Sequence, residues 1–343
     1  MRGTGWSSEG DVISDVSFNL IAPDMTNRPT NLTLPVGGLE IQATIDPEDS
    51  VVDRFFAGYD DSFILPSEKE SLRGFRECLA LNLPPHYQAL ADLYGPFREI
   101  VFVATDPGLG ANRVVGGGNF ICYPIATDTD ERHDACSLGM NLNYVFVLQE
   151  HRRHGYFKKL VQCCEHVARV FLADVAVSAP DAAWREAALL MFIEQNDPVR
   201  MDRADYDLDS RHSGLDQVDR IGIWNSLGAR IIEFPYAQPP LSDDQQADEN
   251  LVLSVLGAGE SALDACIFRE HLRRFFGISV LKGRPAQDNP TAGVQLSSLE
   301  RMCRNGSRIS LLDAGGWVRK QKLSMRSPYS ASSSLVEELK RKE

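Results

Sequence analysis

A short basic turn with one glycine separates a predicted strand from a predicted amphipathic helix in this 343-residue chain. The turn reads Arg152-Arg-His-Gly-Tyr-Phe157. Residues 136–148 before it have the pattern of a strand. After it, apolar residues recur at helical spacing: Leu160, Val161, Cys164, Val167, Ala168 and Phe171. A strand that passes through a tight turn into a helix restricts the chain to folds that combine sheet and helix.

The same turn is chemically suited to an anion. The first N–H groups of a helix have no partner within the helix, and the helix dipole favours negative charge there. Gly155 removes a Cβ that would obstruct close approach, and four cations surround it: Arg152, Arg153, Lys158 and Lys159. Cations in a first turn oppose the dipole unless a polyanion binds between them. The alternative is a tight turn followed by a solvated basic helix face.

Regular structure is predicted on both sides of the turn. The first 37 residues, rich in Gly, Ser, Thr, Asn and Pro, are expected to form a partly irregular arm. We then predict a strand at 39–45, a helix at 51–57, and two helices that begin after a capping box at Ser67 and at Pro84-Pro85. Strands at 98–105, 113–125 and 136–148 should form an antiparallel meander.

After the helix, residues 182–191 are predicted to be helical and to pass into a buried strand that begins within 189–193 and ends before Pro198. A helix at 218–227, strands at 229–234 and 251–256, and a helix from Ser261 follow. Beyond Lys282 we predict loops and a charged tail.

Composition excludes several classes of protein. With 35 Lys plus Arg against 48 Asp plus Glu, the net charge is −13, so nucleic acid is not an expected partner. Seven scattered cysteines without paired CxxC spacing predict reduced thiols, with neither a zinc site nor a disulfide framework. The N-terminus does not resemble a signal peptide, and no apolar run approaches membrane-spanning length. We therefore expect a cytoplasmic protein without membrane contact.

Two segments resemble the motifs of the GNAT acyltransferase superfamily. Its coenzyme A motif, R/Q-x-x-G-x-G/A after the fourth strand, is similar to residues 152–157, and its later Tyr-x-x-x-Gly-Phe segment is similar to Trp224-Asn-Ser-Leu-Gly-Ala229. The resemblance covers residues 38–258, with residues 1–37 as an arm and 259–343 as a C-terminal helical extension. It implies an α/β (α+β) fold in which helices flank a mixed, splayed β-sheet.

The resemblance also implies a function, direct acyl transfer from acetyl-CoA or another acyl-CoA to a small-molecule or peptide amine, without a metal. The backbone N–H groups from His154 to Lys158 would bind the pyrophosphate, and strand residues would pair with the pantetheine arm. The implied coenzyme A contacts are Phe146, Val147, Leu148, Arg152, Arg153, His154, Gly155, Tyr156, Phe157 and Lys158.

Catalytic groups are harder to find. Glu194, at the end of the predicted fifth strand, is our candidate base, and a solvated strand-end carboxylate is the alternative. Tyr144 and Asn143 are further candidates, with packing and strand hydrogen bonding as the alternative. Trp224 stands where many family members carry a tyrosine that can protonate the thiolate, and an indole cannot serve as that acid. A noncatalytic coenzyme A-binding or protein-interaction protein is therefore the rival hypothesis.

The remaining candidates have simpler interpretations. We expect His133 at the surface and the Cys163-Cys164 thiols in the core. Residues 234–241 form either one wall of an acceptor pocket or a rigid connector. The helix at 265–276 either mediates homo-oligomerisation through a second apolar face or caps the sheet.

Overall fold

A ten-stranded mixed sheet organises the chain in the computed structural model, which describes residues 30–66, 68–110, 113–126, 136–173, 187–242, 245–324, 328–330 and 333–341. In chain order the strands are Asn31–Val36 (β1), Leu39–Thr44 (β2), Arg98–Thr105 (β3), Val114–Ala126 (β4), Cys136–Val147 (β5), Leu189–Asn196 (β6), Arg230–Ile232 (β7), Leu251–Leu256 (β8), Ala262–Asp264 (β9) and Arg308–Leu312 (β10). Their spatial order is β1-β2-β3-β4-β5-β6-β8-β7-β10-β9.

Helices cover both faces of this sheet. They are Ser50–Ser62 (α1), Leu72–Ala80 (α2), His86–Tyr94 (α3), Tyr156–Ala173 (α4), Arg203–Ser213 (α5), Gln217–Ser226 (α6), Ala265–Phe275 (α7), Pro290–Arg304 (α8), Gly315–Ser324 (α9) and Leu335–Lys340 (α10). Side chains alternate along β3, so Phe102 packs in the cluster that contains α4, whereas Val101 and Val103 pack in the cluster that contains α1. The mixed sheet flanked by helices confirms the expected fold class.

The sheet opens between β5 and β6. These strands pair in parallel only from Leu138 to Leu142 and from Leu189 to Ile193, after which β6 remains paired with β8. Asn119 pairs with Tyr144 and Phe120 with Leu142, so Asn143 is an extra, bulged residue on β5. A bulge bends its strand, which accounts for the divergence from β6. The splayed sheet is therefore confirmed, and among the described residues no strand pairs with this edge of β5 after Leu142.

The antiparallel meander β3-β4-β5 agrees with the prediction, and two features before it differ. The strand β1 pairs with β2 along its whole length, so sheet structure begins before Leu39. The cap of α2 is Ser71, whose side chain accepts a hydrogen bond from the Gly74 N–H, and the predicted cap Ser67 lies outside the described residues. Only Ser67 has a glutamate three residues later, whereas Ser71 is followed by Leu72-Arg-Gly74, so the capping-box pattern favoured Ser67.

The C-terminal region is more ordered than predicted. The expectation of loops beyond Lys282 is wrong, because α8, β10, α9 and α10 follow and β10 inserts between β7 and β9. The apolar face of α7 is used within the chain, since Phe268, Leu272 and Phe275 are buried and pack in the core. The second apolar face of this helix therefore caps the sheet.

One disulfide joins the two long C-terminal helices, and the expectation that all cysteines are reduced is wrong. Cys266 on α7 bonds to Cys303 on α8, 37 residues later. Such a pairing has no local sequence pattern, because it depends on how two helices dock.

Loss of this disulfide should destabilise the protein. A cross-link over a loop of this length restricts the unfolded chain, so Cys266→Ser together with Cys303→Ser should lower the free energy of unfolding by about 2–4 kcal/mol. Urea unfolding of the wild type with and without reductant, beside the double variant, measures this. Equal midpoints for the wild type in the two conditions would contradict the assignment.

Among the helices of the described part of the chain, none is both long enough and apolar enough to cross a membrane.

Candidate functional site

A cavity of about 500 Å³ occupies the gap where β5 and β6 diverge. One end is lined by the turn at Arg153 and Gly155 and by α6 at Trp224. The middle is lined by strand residues from Leu142 to Val147 and from Ile193 to Asn196. The far end is lined by Phe63, Glu68, Phe75, Glu99, Leu241, Leu251, Phe275 and Ser279. One continuous space therefore connects the basic turn to a set of acidic and apolar side chains.

The backbone of the turn is shaped for close approach by a ligand. Arg153 has φ 67° and Gly155 has φ 80°, both in the left-handed region. A Cβ on Gly155 would meet no atom within 4 Å, so the space beside it is open. Helix α4 begins at Tyr156, which leaves its first N–H groups without partners inside the helix. The turn can therefore bind a diphosphate through its backbone.

The Arg152 side chain also links two parts of the fold. Its Nε donates to the Val147 carbonyl at 3.0 Å, and its Nη1 donates to the Ser213 carbonyl. Burial lowers the pKa of its guanidinium. Arg152 therefore joins the end of β5 to the end of α5 while it lines the cavity.

Buried polar atoms show whether coenzyme A fits this cavity. His151 is 7% exposed, lines the cavity, and has no hydrogen-bond partner for Nε2 among the described residues. The nearest acidic oxygen, Glu150 Oε1, lies 4.0 Å away. Gln195 is 5% exposed and also lines the cavity, and its Oε1 has no donor in the described part of the chain. A ligand with amides and phosphates would satisfy such groups, so the residues fit.

The predicted coenzyme A contacts separate into two groups. Phe146, Val147, Arg152, Arg153, Gly155, Tyr156 and Phe157 line the cavity. Leu148, His154 and Lys158 lie beside it and do not form its wall. Phe157 packs edge-on against Trp224 with ring centroids 5.0 Å apart, and Tyr156 donates its hydroxyl to Asp106 Oδ2 at 2.6 Å. Phe157 stands where the coenzyme A motif has Gly or Ala, and it forms one aromatic wall with Trp224.

Glu194 lies on β6 where the strands have already separated. The hydroxyl of Tyr236 donates to its Oε1. Its side chain keeps accessible surface because it faces the cavity, yet the surrounding protein excludes bulk water. Burial raises its pKa from 4.5 to about 7. A carboxyl group with this pKa can accept a proton near neutral pH.

Tyr144 also lines the cavity, but its hydroxyl is engaged. It donates to the Glu68 carbonyl at 2.9 Å, and the ring packs against Tyr59 and Phe63 with centroids 4.8 and 5.3 Å away. Burial raises its pKa well above the ordinary value. Tyr144 is therefore placed to shape the cavity wall.

Glu99 was missed by sequence reasoning and is central to the far end of the cavity. It is 1% exposed and accepts hydrogen bonds from Asn119 Nδ2 at 2.7 Å, Asn143 Nδ2 at 3.0 Å and Ser279 Oγ at 2.6 Å. The candidate Asn143 therefore serves as a donor to this carboxyl group. The available signal was a single acid inside the apolar strand Arg98–Thr105, because a buried glutamate without a role is rare.

The buried Glu99 carboxyl predicts a pH effect on stability. Burial raises its pKa from 4.5 to about 7, so the folded protein holds a proton there that the unfolded chain has released between these two pH values. This contribution to stability is complete below about pH 4.5 and falls as the pH rises through 7. Glu99→Gln, which keeps an acceptor for the asparagines, should therefore raise Tm at pH 8 more than at pH 5. Thermal melts at both pH values measure this, and an equal shift at both would contradict it.

Other candidates are resolved more simply. Cys163 and Cys164 are buried, and burial raises the pKa of both thiols, to about 11 for Cys163. Gln238 and Leu241 line the cavity, so the segment 234–241 contributes to its wall. His133 lies outside the described residues. Among the described residues, no three His, Cys, Asp or Glu side chains are arranged to hold a metal ion.

Comparisons with known proteins return solved structures. The likeness is to GNAT acetyltransferases. An acetyltransferase assigned to this family from Bacteroides thetaiotaomicron is 17% identical, over 67% of this chain and 91% of that one, with a TM-score of 0.37. One from Desulfovibrio desulfuricans is 14% identical, over 64% and 98%, with a TM-score of 0.31. A mutant AtaT toxin bound to the C-terminus of the antitoxin AtaR and acetyl-CoA is 14% identical, over 63% and 92%, with a TM-score of 0.25.

Sequence comparisons return no relatives. No protein-family model matches the chain, and no curated protein matches it.

Proposed function

We propose that this chain transfers an acyl group, acetyl in the simplest case, from acyl-CoA directly to an amine. The observation that supports this most is the single cavity that connects the anion-binding turn at Gly155 to the Glu194 carboxyl. The turn would hold the diphosphate, and the unpaired edge of β5 would run beside the pantetheine arm. The thioester would then lie in the gap between β5 and β6, beside Glu194.

In the proposed reaction, each of three groups carries out one step. Glu194, as carboxylate, accepts the proton of the amine as the new C–N bond forms and the C–S bond breaks. A backbone N–H of β5 near Val147 donates to the thioester oxygen, where negative charge develops. Trp224 lines the gap but cannot supply a proton, so water protonates the thiolate.

Two measurements test the proposal. Coenzyme A at millimolar concentration should raise Tm, because a ligand that binds only the folded state stabilises it. Acetyl-CoA incubated with the protein and a panel of amines should release free coenzyme A. The release is measured by chromatography, because a thiol reagent would also detect the cysteines of the protein. Absence of a Tm shift would overturn coenzyme A binding, and a shift without product on any amine would overturn transfer.

That second outcome corresponds to the rival function. The position of Trp224 favours it, since the tyrosine that acts as acid in similar proteins is replaced by a residue 5% exposed that packs on Phe157. A noncatalytic protein would bind coenzyme A and use the far end of the cavity for a peptide or small molecule. It would consume no acetyl-CoA.

A further inference from the structure

The far end of the cavity differs from the turn in its chemistry. Its apolar walls are Phe63, Phe75, Leu241, Leu251 and Phe275, contributed by three separate parts of the chain. These walls exclude water, so charged groups among them interact more strongly than they would in solvent. An acceptor with an aliphatic or aromatic body suits such walls.

Two carboxyl groups, those of Glu68 and Glu194, line this cavity. Asn196 follows Glu194 by two residues on β6 and so projects to the same face. Its Nδ2 donates to Glu68 Oε1 at 2.5 Å, so Asn196 links Glu68 to the strand that carries Glu194. Burial raises the pKa of both carboxyl groups, Glu68 and Glu194, from 4.5 to about 7.

Neither carboxyl group forms an ion pair with a described lysine or arginine, and the positive charge of Arg220, which lowers the pKa of Glu68, is shared with Asp209. The nearby Lys282 pairs with Glu70 at 2.7 Å, and Arg220 pairs with Asp209 at 2.7 Å. Among the described residues no ion pair includes Glu68 or Glu194. An ionised carboxylate in a water-poor wall is costly unless an opposite charge approaches it. The missing charges are therefore expected from the ligand.

We propose that the acceptor is a diamine, or a larger amine with at least two amino groups, on an aliphatic body. This rests on the proposed function. One amino group is acylated, and its proton passes to Glu194 as the C–N bond forms and the C–S bond breaks. The second stays protonated and pairs with Glu68. A monoamine would leave Glu68 without a counter-charge once its nitrogen had become neutral to react.

Titration calorimetry on the coenzyme A-saturated protein tests the proposal by binding alone. The ligands are α,ω-diaminoalkanes of several chain lengths, each beside the monoamine of equal length. The best diamine should bind about 10-fold more tightly than its monoamine, since a charge-assisted hydrogen bond in a desolvated wall contributes about this much. Equal affinities in the wild type would overturn the proposal.

Variants locate the second ammonium. Glu68→Gln should abolish the preference for the diamine, and Glu68→Asp, which keeps the charge on a shorter arm, should retain it. The matched control is Glu77→Gln, an exposed residue paired with Arg73, which should leave the preference unchanged. A preference that survives Glu68→Gln in a protein of unchanged Tm would overturn the assignment.

The outcomes separate this proposal from the one on which it rests. Diamine binding without acyl transfer would refute the transfer function and leave the cationic ligand in place. Equal acylation of diamines and monoamines, with equal affinity, would leave the transfer function in place and refute the dicationic acceptor.

Discussion

Glu194→Gln is expected to lower kcat by about 10²–10⁴-fold, the usual contribution of a positioned general base. The glutamine keeps the shape of the side chain and an acceptor for the Tyr236 hydroxyl, so the fold should persist. Coenzyme A should still raise Tm by the wild-type amount, because the turn at Gly155 is unchanged. Steady-state rates at saturating acetyl-CoA measure the effect.

The pH dependence of the same variant separates a base from a structural carboxyl group. Burial sets the pKa of Glu194 at about 7, so the wild-type rate should rise with pH through 7 as the carboxylate forms. Glu194→Gln should lose this rise. The control is Glu249→Gln, an exposed acid that does not line the cavity, which should keep the wild-type profile. A rise through pH 7 that persists in Glu194→Gln would show that another group is the base.

Gly155→Glu is expected to abolish coenzyme A binding, with a dissociation constant raised at least about 100-fold, or roughly 2.7 kcal/mol. The new carboxylate would occupy the open space beside the first turn of α4 and repel a diphosphate there. A side chain at φ 80° also strains the backbone. The measurement is the Tm shift with coenzyme A across a concentration series.

A control variant is needed to separate the backbone strain in Gly155→Glu from the repulsion by its carboxylate. Gly306 has φ 62°, is exposed at the end of α8, and likewise has no atom within 4 Å of a built Cβ. Gly306→Glu should therefore lower Tm by a similar amount and keep the full coenzyme A shift. If both variants lose the shift, the effect is general destabilisation and the turn is not the binding site.

Sequence patterns predicted the end of the cavity that consecutive residues form, at the turn around Gly155. The turn at Gly155 lies between one strand and one helix, and periodicity identifies both. The far end of the cavity depends on contacts between distant segments: Glu68 meets Asn196, 128 residues away, and Glu99 meets Ser279, 180 residues away. No single-sequence pattern reports such pairs, so Glu68 and Glu99 were not identified.

The C-terminal errors have a different cause. Asn289 caps α8 and Pro290 occupies its first turn, a helix-start signal that the sequence does contain. The sequence around it is polar and contains several glycines, which is the composition of a loop. Strand β10 has only five residues and depends on β7 and β9 for its pairing, so its sequence alone was insufficient.

The hydrogen bond from Ser279 to Glu99 bears on how the protein is made. During synthesis the meander β3-β4-β5 emerges long before Ser279. Glu99 therefore lacks the hydrogen bond from the Ser279 hydroxyl while well over a hundred further residues are added. We expect the nascent sheet to keep Glu99 hydrated and ionised through that interval. Arrival of the helix Ala265–Phe275 and the segment after it would then dehydrate the pocket and drive proton uptake, so the far end of the cavity is completed only after the antiparallel meander has formed.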